Sequence, residues 1–60
     1  MTPLADQIAC VKREIGFRRR VYARRVDSGS MTKAQAEREI AAMEAVLATL
    51  HRLEEKERLL

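Results

Sequence analysis

The sequence predicts an all-α protein, an antiparallel two-helix hairpin that pairs with a second copy into a homodimeric four-helix bundle. Three observations carry that expectation. Ala, Leu, Glu, Lys and Arg dominate the 60 residues, which include only two aromatics and a single proline, Pro3, ahead of any long periodic segment. One stretch alone, DSGSMT at residues 27–32, interrupts the helical periodicity. Each periodic segment also carries two apolar stripes, one more than a single antiparallel neighbour covers.

The first helix is expected over about residues 4–27. Leu4, Ile8, Val11, Ile15, Tyr22 and Val26 recur at three- and four-residue steps, with Arg18 where a further apolar residue is due. At roughly 100° per residue, Cys10, Phe17 and Val21 fall together about a third of a turn from that row. Gly16 weakens the middle of the helix by about 1 kcal/mol relative to alanine. It projects near Ala5, Ala9 and Ala23, which reads either as a smooth face for a close-approaching helix or as plain alanine propensity.

The turn is expected at residues 28–32. Gly29 supplies the left-handed conformation that closes one helix, and Thr32 caps the next. Gln35 stands three residues after Thr32, the spacing of a capping box, and Met31 is placed to staple onto Ala36. The D-x-G start of this segment resembles a calcium loop, but Thr32 stands where such a loop requires glycine and Arg38 where it requires glutamate. A linker this short makes the two helices antiparallel neighbours.

The second helix is expected over about residues 33–58. Ala36, Ile40, Met43, Leu47 and Leu50 form its seam stripe, with Glu54 where the stripe should continue. Ala42, Val46, Leu53 and Leu60 form the second stripe. Ala34, Ala41, Ala45 and Ala48 make a small-residue back face that helix propensity accounts for.

The bundle follows from size. A 60-residue domain buries only about 60% of its unfolded surface, so it needs a staple. One cysteine and one histidine supply neither a disulfide framework nor a four-ligand zinc site, which leaves a partner chain. The residues expected to carry self-association are Cys10, Phe17, Val21, Ala42, Val46 and Leu53. Within that stripe Cys10 reads as a small buried hydrophobe and not as a nucleophile. A different protein is the rival occupant of the stripe.

Charge raises a second possibility. The stretch GFRRRVYARRV, residues 16–26, holds five arginines, and residues 1–27 hold seven basic and three acidic side chains against five and six in residues 28–60. The five arginines do not share a face. Arg18 and Arg25 lie beside the seam, where Glu14 and Glu39 are the expected carboxylate partners, and Arg19 sits on the opposite flank with Lys12. Arg13, Arg20 and Arg24 alone form a solvent-facing line. In a dimer two such lines would make six phosphate contacts, giving nonspecific nucleic-acid binding with a salt slope near −5. Neither helix-turn-helix chemistry nor a base-stacking aromatic platform accompanies them, and a merely solvated face is the plainer reading.

The function classes set aside are several. No nucleophile stands with a base and an orienting group, and no glycine-rich phosphate cradle or metal-ligand spacing occurs. A two-helix unit has no room for a small-molecule pocket. His51 has only Glu54 and Glu55 beside it, an ordinary surface grouping. Enzyme, cofactor and metal roles are therefore not expected. The longest apolar run, IAAMEAVLATL, is short and interrupted by Glu44, and MTPLADQ lacks the features of a signal peptide, so the expectation is a cytoplasmic protein without membrane contact.

The segments CVKREI at residues 10–15, VY at 21–22, GSMT at 29–32 and AEREIAAME at 36–44 resemble a group of short proteins encoded by tailed phages and prophages of Gram-negative bacteria. The resemblance spans Gln7 to Leu50. In that group proline often follows the VY pair. Ala23 stands there in this chain, so the first helix is expected to run on unbroken. The resemblance implies a small accessory protein of an infected or lysogenic cell that acts by binding a host protein or nucleic acid, with a virion or assembly role as a further alternative.

Overall fold

The computed structural model describes all 60 residues as two helices, α1 (Leu4–Asp27) and α2 (Lys33–Leu59), packed side by side as a hairpin. The molecule is a rod of 48 × 17 × 14 Å. α2 runs one residue beyond the expected end, closing with the Leu60 amide donating to the Glu57 carbonyl at 3.4 Å. Ala23 lies inside an unbroken α1.

Pro3 begins α1 without a side-chain cap. Its carbonyl accepts from the amides of Asp6 and Gln7, both at 3.1 Å. The Gln7 side chain reaches back to donate to the Thr2 carbonyl at 2.9 Å, tying down the residues ahead of the helix. The other end of α1 is closed more firmly. Gly29 takes φ 81°, and the Ser30 amide donates to the Arg25 carbonyl at 2.9 Å while the Gly29 amide donates to that of Val26 at 3.1 Å. Those two bonds make a Schellman closure, which satisfies carbonyls the helix end would otherwise orphan. The hydroxyls of Ser28 and Ser30 also donate to the Arg25 carbonyl, at 3.1 and 3.3 Å.

The capping box at the start of α2 is complete. The Gln35 amide donates to Thr32 Oγ1 at 3.1 Å, and the Thr32 amide donates to Gln35 Oε1 at 2.9 Å. Met31, just ahead of the cap, and Ala36, one turn into α2, are both half-buried.

The seam is the expected one. Ile8, Ile15 and Tyr22 are the three buried residues. Leu4, Val11, Val26, Ile40, Met43, Leu47 and Leu50 are half-buried around them, and Arg18 and Glu54 occupy the gaps in the apolar rows, also half-buried. The chain exposes 4770 Å². A compact folded monomer of 6.9 kDa exposes roughly 4,000 Å². The rod therefore leaves several hundred Å² more surface in water than a compact protein of its mass.

Candidate interaction surface

The hairpin has two broad sides, and side-chain direction makes them different. A residue displaced from the seam in one rotational sense on α1 lies on the same side as its counterpart on α2, because an approximate two-fold axis perpendicular to the pair relates antiparallel helices. On one side the second stripes of both helices come together: Cys10 and Val46 line one groove with Val11 and Leu50. Phe17 and Val21 line the next stretch with Glu14, Arg18 and Arg25. Here Phe17 is 54% exposed, Val46 47% and Leu53 46%. Val21 is half-buried, and Ala42 and Cys10 are exposed. Cys10, read from the sequence as a buried small hydrophobe, is thus open on the single chain because nothing in the hairpin reaches over α1 to cover it.

The opposite broad side carries small residues and an ion pair. Ala23, Val26, Ala36 and Ala41 line its groove. Arg19 Nη2 bridges α1 to α2 by reaching Glu44 Oε1 at 3.3 Å. Sequence periodicity placed Arg19 on this flank but did not identify Glu44, since a pairing between helices depends on their register. The close-approach reading of Gly16 fails within the chain: a Cβ built there meets nothing within 4 Å.

The arginines divide into three kinds. Arg18 Nε donates to Glu14 Oε1 at 3.2 Å and its Nη1 to the Tyr22 hydroxyl at 3.4 Å. Those bonds, the one to Glu14 foremost, raise the Arg18 pKa above the ordinary guanidinium value. The expected Glu39 partner is not there. Tyr22 shares a groove with Ala36 and Ile40, and this register carries Glu39 past Arg18 to the turn end, beside Arg25, Gln35 and Arg38. Arg25 has no carboxylate partner either; its guanidinium lies 5.9 Å from the centroid of the Tyr22 ring, a cation–π arrangement. Arg13, Arg20 and Arg24 are exposed and form no ion pair with any carboxylate of the chain.

The remaining candidates are surface groups. His51 Nδ1 lies 3.6 Å from Glu54 Oε1, a carboxylate that also receives Arg58 at 3.6 Å. No three His, Cys, Asp or Glu side chains gather in metal-binding range, and no helix is long and apolar enough to cross a membrane. No family profile, curated protein or solved structure matches the chain.

Proposed function

We propose that this chain is a small phage-type accessory protein that works as a protein-interaction module, self-associating through its broad apolar side and binding or inhibiting a bacterial host protein. The observation that carries this reading is the side bearing Phe17, Val46 and Leu53. These are the large apolar residues left exposed in the helix interiors: each keeps about half its surface in water while the chain buries only three residues. Helix faces laid against another helical surface give affinity without an active site. Arg13, Arg20 and Arg24, free of internal carboxylates, point away from the seam and offer charge to an acidic patch on the target. The phage setting rests on the sequence pattern alone.

The test is capture from a bacterial lysate with tagged protein, run with and without nuclease, alongside a variant carrying Arg13→Glu, Arg20→Glu and Arg24→Glu. One defined host protein retained after nuclease and lost with the charge-reversed variant is the expected result. Loss of every partner on nuclease treatment overturns the reading.

The unpaired state of Arg13, Arg20 and Arg24 favours one alternative, nonspecific nucleic-acid binding along that line. It requires affinity that falls steeply with salt and vanishes on charge reversal while the helical signal stays intact.

A further inference from the structure

The apolar side has a size, a charge pattern and a relief that together select its occupant. The rod as a whole measures 48 by 17 Å across its broad side, a footprint of roughly 800 Å², about what each partner contributes to a standard protein interface. The surplus surface left by the rod shape is of the same order. A second copy of the chain supplies a face of matching length and apolar character.

Two face-to-face pairings of identical rods are possible. With the two-fold axis across the rods, α1 lies on α1 and the turns stand at opposite ends. With the axis along the rods, α1 lies on α2 and the turns stand together. Charge separates them. On the apolar side α1 presents Arg18 and Arg25 with one carboxylate, Glu14, which Arg18 already holds, so stacking α1 on α1 leaves Arg25 without an acidic partner. Stacking α1 on α2 brings Arg25 toward Glu39, which lies at its height and makes no ion pair in its own chain.

Relief agrees. The register that puts Tyr22 level with Ala36 and Ile40, and Cys10 beside Val46 and Leu50, carries Phe17 to the height of Ala42. With the axis along the rod, the largest side chain of the stripe meets the smallest one of the other copy, a knob over a hole. We infer that the apolar side is occupied by a second copy with the two-fold axis along the rod, Phe17 of each chain seated over Ala42 of the other. This rests on the interaction-module reading and fixes how the two copies pair on its apolar side.

One consequence bears on the arginine line. α1 of the two copies then stand at diagonal corners of the bundle, so Arg13, Arg20 and Arg24 form two separate ridges on opposite sides. A nucleic-acid duplex meets only one of them, and three phosphate contacts give a salt slope near −3 in place of about −5.

The experiment is a spin-label distance measurement on the full chain carrying Cys10→Ala and a label at Ala34→Cys, an exposed position at the turn end of α2. Sedimentation on the same sample fixes the oligomeric state. A dimer with a label separation under about 30 Å, within the width of two helix layers, is expected. A dimer with separation of roughly 35 Å or more, the turns lying at opposite ends of the 48 Å rod, overturns this pairing and leaves the dimer standing. A monomer at high micromolar concentration, both for this variant and for the unaltered chain, overturns the second copy as occupant. The monomer outcome also removes the self-association in the proposed function, whereas the lysate capture tests binding of a host protein separately. A mixture of chains carrying Phe17→Cys and Ala42→Cys, each also Cys10→Ala, gives the second check. Oxidation should join unlike chains at least ten-fold faster than like ones, and equal rates overturn the pairing.

Discussion

Both stripes of this hairpin are apolar rows running along one face of each helix, yet only one is covered. Along the seam Ile8, Ile15 and Tyr22 leave water almost completely. About a third of a turn away Phe17, Val46 and Leu53 stay half in water. The difference teaches that periodicity measures how much a helix has to bury, whereas the number of neighbours measures how much it can. Two helices make one seam, and the second stripe is surplus to the hairpin.

The comparison can be broken from the outer stripe first. Phe17→Asp with Val46→Asp places charge at the centre of the proposed contact, where each anchor is worth about 2 kcal/mol or more. Association should weaken by at least ~1,000-fold, seen by sedimentation, and the helical signal should fall with it because the lone hairpin lacks a sufficient core. A chain that stays a folded dimer would show that the outer stripe is not the interface.

Breaking the seam comes next. Ile15→Ala removes one of the three buried side chains and should cost about 2–5 kcal/mol in denaturant unfolding. If the loss is below ~1 kcal/mol, the seam is not the core of the folded unit. Removing the cap that sets up the seam has a smaller effect: Thr32→Ala deletes the acceptor of the Gln35 amide and should cost about 1 kcal/mol in thermal melts. The least change is a gain. Gly16→Ala adds a Cβ into open space in mid-helix and should stabilise by about 0.5–1 kcal/mol. Destabilisation there would instead reveal another helix pressed against the face of Ala9 and Ala23.

Much of the candidate surface was legible in the residues themselves. The membership of the outer stripe follows from rotation about one helix axis, so Phe17, Val21, Val46 and Leu53 were open to identification without any packing information. The same rotation separated Arg13, Arg20 and Arg24 from Arg18 and Arg25. Partners across the hairpin were less legible. Glu44 with Arg19, and the displacement of Glu39 away from Arg18, depend on how far one helix slides along the other. That slide is set by side-chain interdigitation at the seam, which no single helix reveals. Arg18 also had a nearer carboxylate, Glu14, within its own helix, and local pairs form without any register being chosen.

By itself the sequence determined two helices, their limits to within a residue, the Gly29 closure, the Thr32–Gln35 cap and the choice of seam residues, because the ends depend on neighbours within five positions and the seam on periodicity within a single helix. Only the tertiary structure decided that the two outer stripes share one broad side, that Cys10 is open, and that Arg19 reaches Glu44. Those depend on register and on the sense in which two helices face each other, and both are fixed when the seam packs.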